Sequence, residues 1–332
     1  MSKTLLSLGR NLSTMLYLAG RFLNYGLVPR WYYRKQLGRI MDGLTAEERL
    51  MVEKRVAYYN KLKPGSAITG GTTVDEYRFP FSQKRRFTKY FFDLYEVVRY
   101  FGKQERFCYI HGDVTEIPED PTFVKSRPVA GDNANSVLLK LNKRRHYTLT
   151  KHDKPFREKK DMLVSRTTWA NPSPQRRCLC EKFWNHPLCD VGKTRVEENE
   201  DLPQTVKPFL SKRQQLEYKF VACVEGVDVA TSLKWVMSSN SVAVSPPMHY
   251  ETWFMEGTLI PNYHYIEVKP DFSDLVEKLE YYIAHPEEAE AIVCHAHDYV
   301  AQFLNKKMER ATQLAVADKY FKMTKGQDTY QT

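Results

Sequence analysis

Residues 219–268, KFVACVEGVDVATSLKWVMSSNSVAVSPPMHYETWFMEGTLIPNYHYIEV, contain the alternation of strand and helix patterns that decides the fold. An apolar run over residues 220–224 has the length of a strand, and residues 229–238 have the composition of a helix. Residues 241–244 form a second short apolar run before a pair of prolines. Strands that alternate with helices predict a parallel sheet with crossover connections.

The same stretch continues with a predicted helical turn over residues 250–255 and a predicted third strand over residues 263–268. In open parallel sheets, ligands bind outside the carboxyl ends of the strands. Here the end of the first strand carries Glu225, Gly226 and Asp228. We therefore expect a binding site at this edge of the predicted sheet.

Length, charge and cysteine content limit the class of protein. The chain has 332 residues, more than one hydrophobic core normally serves, so we expect two domains. A formal net charge of +10 favours an anionic partner such as nucleic acid, anionic lipid or a phosphorylated substrate. A merely solvated basic surface would have the same composition. The six cysteines have neither paired zinc spacing nor a disulfide pattern, which favours a reducing compartment.

Residues 1–41 contain seven basic residues and no acidic residue. One helical face of this segment is apolar, because apolar residues recur at three- and four-residue steps: Leu5, Leu8, Leu12, Leu16, Ala19 and Leu23. A basic amphipathic helix can lie in an anionic membrane interface. The alternative is a helix that packs on the protein's own core. No apolar run reaches the roughly 18 residues of a spanning helix, and the segment lacks the features of a signal peptide.

The next segment predicts two helices and a strand with a polar end. Residues 45–48, TAEE, form a capping box that opens a helix to about residue 62. Residues 90–100 predict an aromatic-rich helix, and residues 107–110 predict a short strand. Asp113 follows this strand, where a sheet presents functional side chains. The alternative is a turn aspartate that accepts hydrogen bonds from nearby backbone amides.

The parts of the chain between these motifs predict loops, one strand and further helices. Residues 118–135 are rich in proline, glycine and asparagine and predict a long loop, and residues 136–141 predict a strand. The basic cluster over residues 140–146 has two possible roles: it binds phosphate, or it forms a solvated surface. Residues 191–208 are polar and acidic and predict a surface excursion, whereas residues 273–320 predict helices.

Two arginines are predicted to lie near one another at the start of a helix. Residues 161–165 predict a strand that delivers Arg166, and residues 173–184 predict a helix with Arg176 in its first turn. Guanidinium groups bind phosphates in a bidentate manner, and the free amides of a helix start add positive potential. This arrangement suits a diphosphate.

Several well-known site motifs are absent from the sequence. It contains no phosphate-binding loop, no Gly-x-Gly-x-x-Gly after a strand, no nucleophile elbow and no helix-turn-helix motif. It also has no strong Asp-x-Asp metal motif, since Asp113 and Asp228 stand alone. A metal-independent sugar-nucleotide site fits these absences better than a metal-bound one, and nucleic acid is not expected as a partner.

At this point four stretches resemble one family. Residues 225–268 resemble the signature of glycosyltransferase family 90, which contains bacterial lipopolysaccharide-core glycosyltransferases. HGDVTEIPEDPTFVKSRPV (residues 111–129), NSVLLKLNKRRHY (135–147) and NHPLCDVG (185–192) resemble the bacterial branch in the same order. The resemblance extends over about residues 80–310.

The resemblance implies an α/β fold of the GT-B type, in which two Rossmann-like domains face each other across a cleft. We expect a basic helical region over residues 1–62, an acceptor-side domain over 63–155, a nucleotide-sugar domain over 156–304, and a helix with a tail over 305–332. The implied reaction transfers a hexose, glucose or galactose, from a UDP-sugar to the lipopolysaccharide or lipooligosaccharide core, with inversion and without a metal or other cofactor. The implied location is the cytosolic face of the inner membrane, as a peripheral protein on its anionic surface.

The resemblance also implies roles for particular residues. Asp113, in His-Gly-Asp-Val, matches the general base of the family, which takes the proton of the acceptor hydroxyl. Arg166 matches an arginine near the donor phosphates, although Ser165 and Thr167 replace the aromatic residue and glycine that usually flank it. Further donor-binding residues are expected at strand ends and on the following helix: Arg176, Gly226, Asp228, Thr231, Ser232, Lys234 and Glu251. For Glu251, the alternative is an acidic residue in the first turn of a helix.

Two other functions stay open. One is a protein or capsule O-glycosyltransferase of the same family, which a cleavable signal and paired cysteines would favour. The other is a non-catalytic basic protein that binds membranes or polyanions, which predicts salt-sensitive binding and no saturable nucleotide-sugar site.

Overall fold

The computed structural model describes residues 3–80, 87–168, 173–195 and 202–325, with side chains from residue 15 onward. Its helices are α1 (Lys3–Leu27), α2 (Arg30–Asp42), α3 (Ala46–Tyr59), α4 (Thr88–Val98), α5 (Lys143–His146), α6 (Pro174–Phe183), α7 (Lys212–Gln215), α8 (Leu233–Met237), α9 (Leu275–Ala284), α10 (Pro286–Ala301) and α11 (Lys306–Thr324). Its strands are β1 (Thr72–Thr73), β2 (Arg106–Tyr109), β3 (Thr122–Val124), β4 (Ser126–Pro128), β5 (Ser136–Leu138), β6 (Lys160–Thr167), β7 (Cys189–Lys193), β8 (Tyr218–Ala222), β9 (Val242–Ser245), β10 (Tyr250–Thr252) and β11 (Ile266–Glu267).

The C-terminal sheet has five strands in the order β11-β9-β8-β6-β7, and every neighbouring pair is parallel. Its central strands are buried apolar runs, as expected for a sheet with covered faces. Helices α6, α9 and α10 contribute buried side chains to the same core. The parallel sheet predicted from the sequence is therefore confirmed, although α8 and β11 are shorter than predicted.

The N-terminal sheet has the order β1-β2-β3-β5, in which β2, β3 and β5 are parallel and β1 is antiparallel. Strand β3 is fully buried between its two neighbours. The prediction of one long loop over residues 118–135 is thus wrong, because a three-residue strand is too short to have a visible periodicity. The predicted surface excursion over residues 191–208 is also wrong at its start, where β7 is buried.

A two-stranded ladder of β4 and β10 connects the segments that follow β3 and β9. The strands are antiparallel, and Glu251 lies opposite Arg127. The predicted helical turn over residues 250–255 is therefore wrong, because a buried cross-strand ion pair holds this segment extended. The mixed α/β fold is established by these sheets, whereas the GT-B arrangement and the domain boundaries stay predictions.

The last helix returns to the N-terminal sheet. The Tyr320 hydroxyl on α11 donates to the Pro121 carbonyl (2.6 Å) and accepts from the Cys108 amide (3.1 Å). The Asn60 side-chain amide donates to the Val316 carbonyl at 3.0 Å, which fixes α11 against the end of α3. Helix α3 begins with the predicted capping box, in which Thr45 and Glu48 exchange hydrogen bonds. Helix α11 therefore completes the core around β2 and β3.

Helix α1 has one face on the protein and another in solvent. Tyr17 donates to Asp93 (3.3 Å), Arg21 pairs with Glu96 (2.6 Å), and the Tyr25 ring packs on aromatic rings of α4. On the other face, large apolar side chains are between 60% and 75% exposed: Met15, Leu16, Leu23, Leu27 and, on α2, Trp31. In the part of the chain described here, no helix has the length and apolar character needed to cross a bilayer.

Candidate active site

A cavity of about 720 Å³ lies at the carboxyl ends of β6 and β8. Residues 165–168 after β6 form one side, and Ala222 and Val224 at the end of β8 form another. Thr231, Ser232 and other residues around α7 and α8 also line it. This is the edge of a parallel sheet at which ligands bind, as the sequence predicted.

Arg176 forms part of the cavity wall at the start of α6. The helix begins with Ser173, whose hydroxyl accepts from the Arg176 amide (3.4 Å) and donates to the Glu225 carbonyl (2.8 Å). The Arg176 guanidinium donates to the Val224 carbonyl (3.1 and 3.2 Å) and to the Thr168 carbonyl (3.3 Å). Burial, together with repulsion from Arg145, lowers the pKa of Arg176. The helix start and the arginine are thus held together by the end of β8.

Gly226 is required by the position of Arg176. A Cβ atom at residue 226 would lie 2.8 Å from Arg176 Nη2 and 3.0 Å from its Cζ, so the guanidinium would have to shift. The absence of a side chain therefore lets the guanidinium lie against the backbone. Gly226 acts through Arg176, so its predicted donor-binding role is indirect in this arrangement.

Arg166 lines the cavity, but its guanidinium is engaged within the protein. It forms a bidentate pair with Asp190 (2.9 and 3.0 Å) and donates to the carbonyls of Pro208, Ser165 and Asp190. Burial acts to raise the pKa of Asp190, but the Tyr218 hydroxyl and Arg166 outweigh it and lower that pKa. A bidentate pair of this kind is strong and directional. Arg166 therefore ties Asp190 of β7 and Pro208 to the end of β6, and direct phosphate contact stays a prediction.

Arg145 supplies an available cation to the same cavity. It lies on the short helix α5, its side chain is exposed, and it lines the cavity opposite the strand ends. Within the described ranges, its guanidinium has no hydrogen bond and no ion pair. Its neighbour Lys143 instead pairs with Glu96 (2.9 Å), and Lys140 pairs with Glu309 (2.5 Å). Of the predicted basic cluster, Arg145 is thus the member that faces the cavity.

Lys125 brings together two of the predicted site residues. Its ammonium group contacts Asp113 Oδ1 and lies 2.5 Å from Asp228 Oδ2. Gly112, at φ +117°, allows the sharp turn that places Asp113 after β2. The Lys125 side chain is 2% exposed, whereas that of Asp113 is 30% exposed. Sequence reasoning missed Lys125, because it stands between two strands in a segment predicted to be a loop.

The electrostatics of these three groups follow from burial and proximity. Burial raises the pKa of Asp228, against the attraction of Lys125. Burial acts to lower the pKa of Lys125, but Asp228, Tyr90 and Asp113 outweigh it and raise that pKa. Asp228 lies two residues after Gly226, which lies against Arg176, so the chain connects the cluster to the wall of the cavity.

Two predicted donor-binding residues lie elsewhere. Lys234 is fully buried and pairs with Glu256 at 2.5 Å, so the prediction that it faces the diphosphate is wrong. The reason is helical geometry: Ser232 and Trp235 face the cavity at i and i+3, and Lys234 points away. Glu251 is buried as well, pairs with Arg127 at 2.8 Å and accepts from the Tyr58 hydroxyl. In this arrangement the Glu251 carboxylate is thus engaged within the protein, and its contact with a donor hydroxyl stays a prediction.

Thr231 and Ser232 line the cavity beside Trp235, and their contact with the donor stays a prediction. Lys212 lies opposite, with its ammonium group 5.5 Å from the centre of the Trp235 ring. Among the described residues, no group of three or more His, Cys, Asp or Glu side chains is arranged to hold a metal ion. The cavity thus combines hydroxyl groups, the Trp235 ring and four cationic side chains, a set that suits an anionic ligand with a ring.

Comparisons with known proteins identify the class. The sequence profile of glycosyl transferase family 90 matches residues 166–329. The O-glucosyltransferase LpsA of Dichelobacter nodosus is 39% identical over 307 residues, which cover 91% of this chain and 93% of that protein. The uncharacterized protein 035R of Invertebrate iridescent virus 3 is 33% identical over 100 residues, 30% of this chain and 9% of its own. The chain belongs to glycosyl transferase family 90, and it is a glycosyltransferase.

Proposed function

We propose that this enzyme transfers a hexose, with inversion, from a UDP-sugar to the core of lipopolysaccharide or lipooligosaccharide. The observation that carries the proposal is the connection between a basic cavity and an exposed carboxylate. Lys125 ties Asp113 to Asp228, and Asp228 lies two residues after Gly226, whose backbone lies against the guanidinium of Arg176 in the cavity wall. A donor in the cavity and a base at its edge are what a glycosyl transfer needs.

In the proposed reaction, the diphosphate lies between Arg145, Arg176 and the first amides of α6, with Thr231 and Ser232 as further donors. The acceptor oxygen bonds to the anomeric carbon while the bond from that carbon to the diphosphate oxygen breaks. The acceptor proton passes to Asp113, and UDP leaves with the electron pair. Positive groups on the diphosphate favour this step, because negative charge grows there in the transition state.

The substrate assignment is supported by the relative and by charge. LpsA of Dichelobacter nodosus is named an O-glucosyltransferase, which favours glucose over galactose as the transferred sugar. A net charge of +10 suits a phosphorylated, amphiphilic acceptor. In the proposed GT-B arrangement, the N-terminal sheet presents Asp113 to the acceptor and the C-terminal sheet holds the donor. Transfer without a metal is part of the same proposal.

Attachment to the cytosolic face of the inner membrane is the second part of the proposal. The exposed apolar side chains of α1 and α2 are accompanied by Arg30, Arg34, Lys35 and Arg39, and the first acidic residue is Asp42. Apolar side chains beside cations suit an anionic bilayer surface. Tyr17 and Arg21 pack on α4 and leave the apolar face of α1 exposed. Helix α1 can therefore pack on the protein and bind a membrane at the same time.

The donor site can be tested by thermal shift of the purified protein with UDP, GDP, CMP or ADP, each with and without EDTA. A nucleotide at about 100 times its Kd adds about 2.7 kcal/mol to the free energy of unfolding. We expect a shift with UDP alone, insensitive to EDTA and reduced by Arg145→Gln. Formation of a glucosylated core from UDP-glucose, followed by mass spectrometry, then tests the reaction. No shift with any nucleotide would favour the polyanion-binding alternative.

The membrane part has its own test. Co-sedimentation with vesicles that contain anionic phospholipid should fall for Leu23→Glu and Leu27→Glu, because each places a carboxylate on the exposed face. Leu304→Glu is the matched control, since Leu304 is 58% exposed in the turn that follows α10. Equal binding by all three variants would contradict attachment through α1.

A further inference from the structure

One buried lysine stands between carboxylates from the two sheets. Asp113 follows β2 of the N-terminal sheet and Asp228 follows β8 of the C-terminal sheet, and both contact Lys125 Nζ. The side chains of Lys125 and Asp228 are 2% and 6% exposed, whereas Asp113 is 30% exposed. Two negative charges therefore share one positive charge, and one of the three groups is open to a substrate.

Tyr90, His146 and Arg176 are the other titratable groups near the cluster. Tyr90 on α4 is neutral at pH 7, because burial raises its pKa. His146 on α5 is also neutral, because burial, with repulsion from Lys234 and Lys125, lowers its pKa well below the usual value. Arg176 on α6 has a favourable electrostatic interaction with Asp228, and the proposed diphosphate would neutralise the charge of Arg176. The cluster alone thus has a net charge of −1.

We propose that Asp228 is the reserve counter-ion of Lys125, which keeps the ammonium group paired when Asp113 takes the acceptor proton. This inference rests on the proposed function, in which Asp113 is the base. Without Asp228, protonation of Asp113 would leave a buried ammonium ion without a partner, and such a charge is strongly disfavoured. With Asp228, the same step converts a cluster of charge −1 into a balanced buried pair.

The arrangement makes Lys125 and Asp228 positioning residues with opposite effects on the base. The Lys125 ammonium group attracts the Asp113 carboxylate, which it contacts directly. Asp228 offsets part of that attraction, so proton transfer to Asp113 becomes easier. Removal of the lysine and removal of the second carboxylate should therefore move the acidic limb of the pH–rate profile in opposite directions.

The experiment measures kcat/KM against pH for the full-length enzyme with UDP-glucose and core acceptor. For Asp228→Asn we expect the acidic limb to move to lower pH and kcat to fall on the order of 10-fold, because the base becomes weaker. For Lys125→Met we expect the limb to move to higher pH. Lys125→Arg should restore the original limb, since it keeps the charge, and it also serves if Lys125→Met does not fold.

The control is Asp153→Asn. Asp153 pairs with another buried lysine, Lys159, at 2.7 Å, away from the cavity. This variant should leave the limb in place, which separates the local charge effect from a general loss of stability. Limbs that stay in place, or that move in the same direction for Asp228→Asn and Lys125→Met, would overturn the inference.

Asp113→Asn distinguishes failure of this inference from failure of the proposed function. If Asp113→Asn keeps its turnover, Asp113 is not the base and both proposals fall. If Asp113→Asn is inactive while neither other variant moves the limb, the proposed function stands and the role of Asp228 as reserve counter-ion is wrong.

Discussion

Two buried lysines, Lys125 and Lys234, follow different rules of charge balance. Lys234 pairs with one carboxylate, Glu256, and the two side chains are 0% and 1% exposed. Glu256 also accepts from the amide and hydroxyl of Thr252, so its oxygens are engaged on both sides. Lys125 instead contacts two carboxylates, and that of Asp113 reaches solvent.

The difference shows that burial and ion pairing do not by themselves mark a functional lysine. A balanced pair whose oxygens are all bonded has no capacity left for a substrate, and it holds the ends of α8 and β10 together. An unbalanced cluster with one open oxygen can accept a proton and still leave a balanced pair behind. The two regions differ in the number of carboxylates that contact the lysine and in the solvent exposure of one of them, Asp113.

The substitution with the largest expected effect changes Asp113, the exposed carboxylate of the Lys125 cluster. Asp113→Asn removes the proposed base, and turnover should fall by about 10²- to 10⁴-fold. Because Asp113 is partly exposed and its amide replacement is isosteric, the melting temperature and the shift with UDP should stay close to those of the parent protein. Single-turnover assays beside thermal shift would check both halves of this prediction. Turnover within twofold of the parent would remove the contrast between the two lysines.

The substitution with the next largest expected effect removes one partner of the buried pair Lys234–Glu256. Lys234→Met leaves the buried Glu256 carboxylate without its partner and should cost about 3–5 kcal/mol of unfolding free energy. The double variant Lys234→Met/Glu256→Gln should recover part of that loss, because the unpaired charge is gone. Urea denaturation of the two single variants and the double variant gives the coupling energy. A coupling energy near zero would mean that the pair is not what holds α8 to this segment.

A substitution with a smaller expected effect tests the contact between Gly226 and Arg176. Gly226→Ala should push the Arg176 guanidinium aside and raise the KM for the UDP-sugar by roughly fivefold, about 1 kcal/mol of lost donor binding. Gly70→Ala is the matched control, since no atom lies within 4 Å of the position its Cβ would take. Equal KM values for the two variants would show that Arg176 does not contact the donor.

The smallest expected effect concerns stability against pH. Because burial raises the pKa of Asp228, the folded protein holds the carboxyl proton of Asp228 more tightly than the unfolded chain, in which aspartate has a pKa of about 3.9. Stability from this group is therefore present at low pH and falls as pH rises through the folded pKa. Asp228→Asn should melt slightly higher than the parent at pH 7, with a difference that narrows toward pH 4. A lower melting temperature at pH 7 would contradict this sign.

Much of the C-terminal sheet could be predicted from the sequence, because its strands are apolar runs separated by helices. Helix starts were also predictable where capping residues satisfy the first amides, as at Thr45, Ser173 and Ser211. Strands β3, β4 and β10 could not be predicted. Each has three residues, so its conformation depends on a partner far along the chain rather than on its own pattern.

The candidate site divides in the same way. Arg176, Gly226, Thr231 and Ser232 adjoin strand ends, so a general rule about parallel sheets placed them near the cavity. Lys125 was missed because its role depends on Asp228, which lies 103 residues later in the chain. The engagement of Arg166 by Asp190 likewise depends on strand pairing between β6 and β7.

The return of α11 to the N-terminal sheet limits when that sheet can complete its core during synthesis. A chain emerges from the ribosome N-terminus first, yet the hydroxyl that binds the Pro121 carbonyl and the Cys108 amide belongs to Tyr320, twelve residues from the end. The sheet made early in synthesis is completed only by α11, whose Tyr320 follows Pro121 by 199 residues. Premature termination before α11 therefore leaves β2 and β3 without part of their core, whatever the state of the donor cavity.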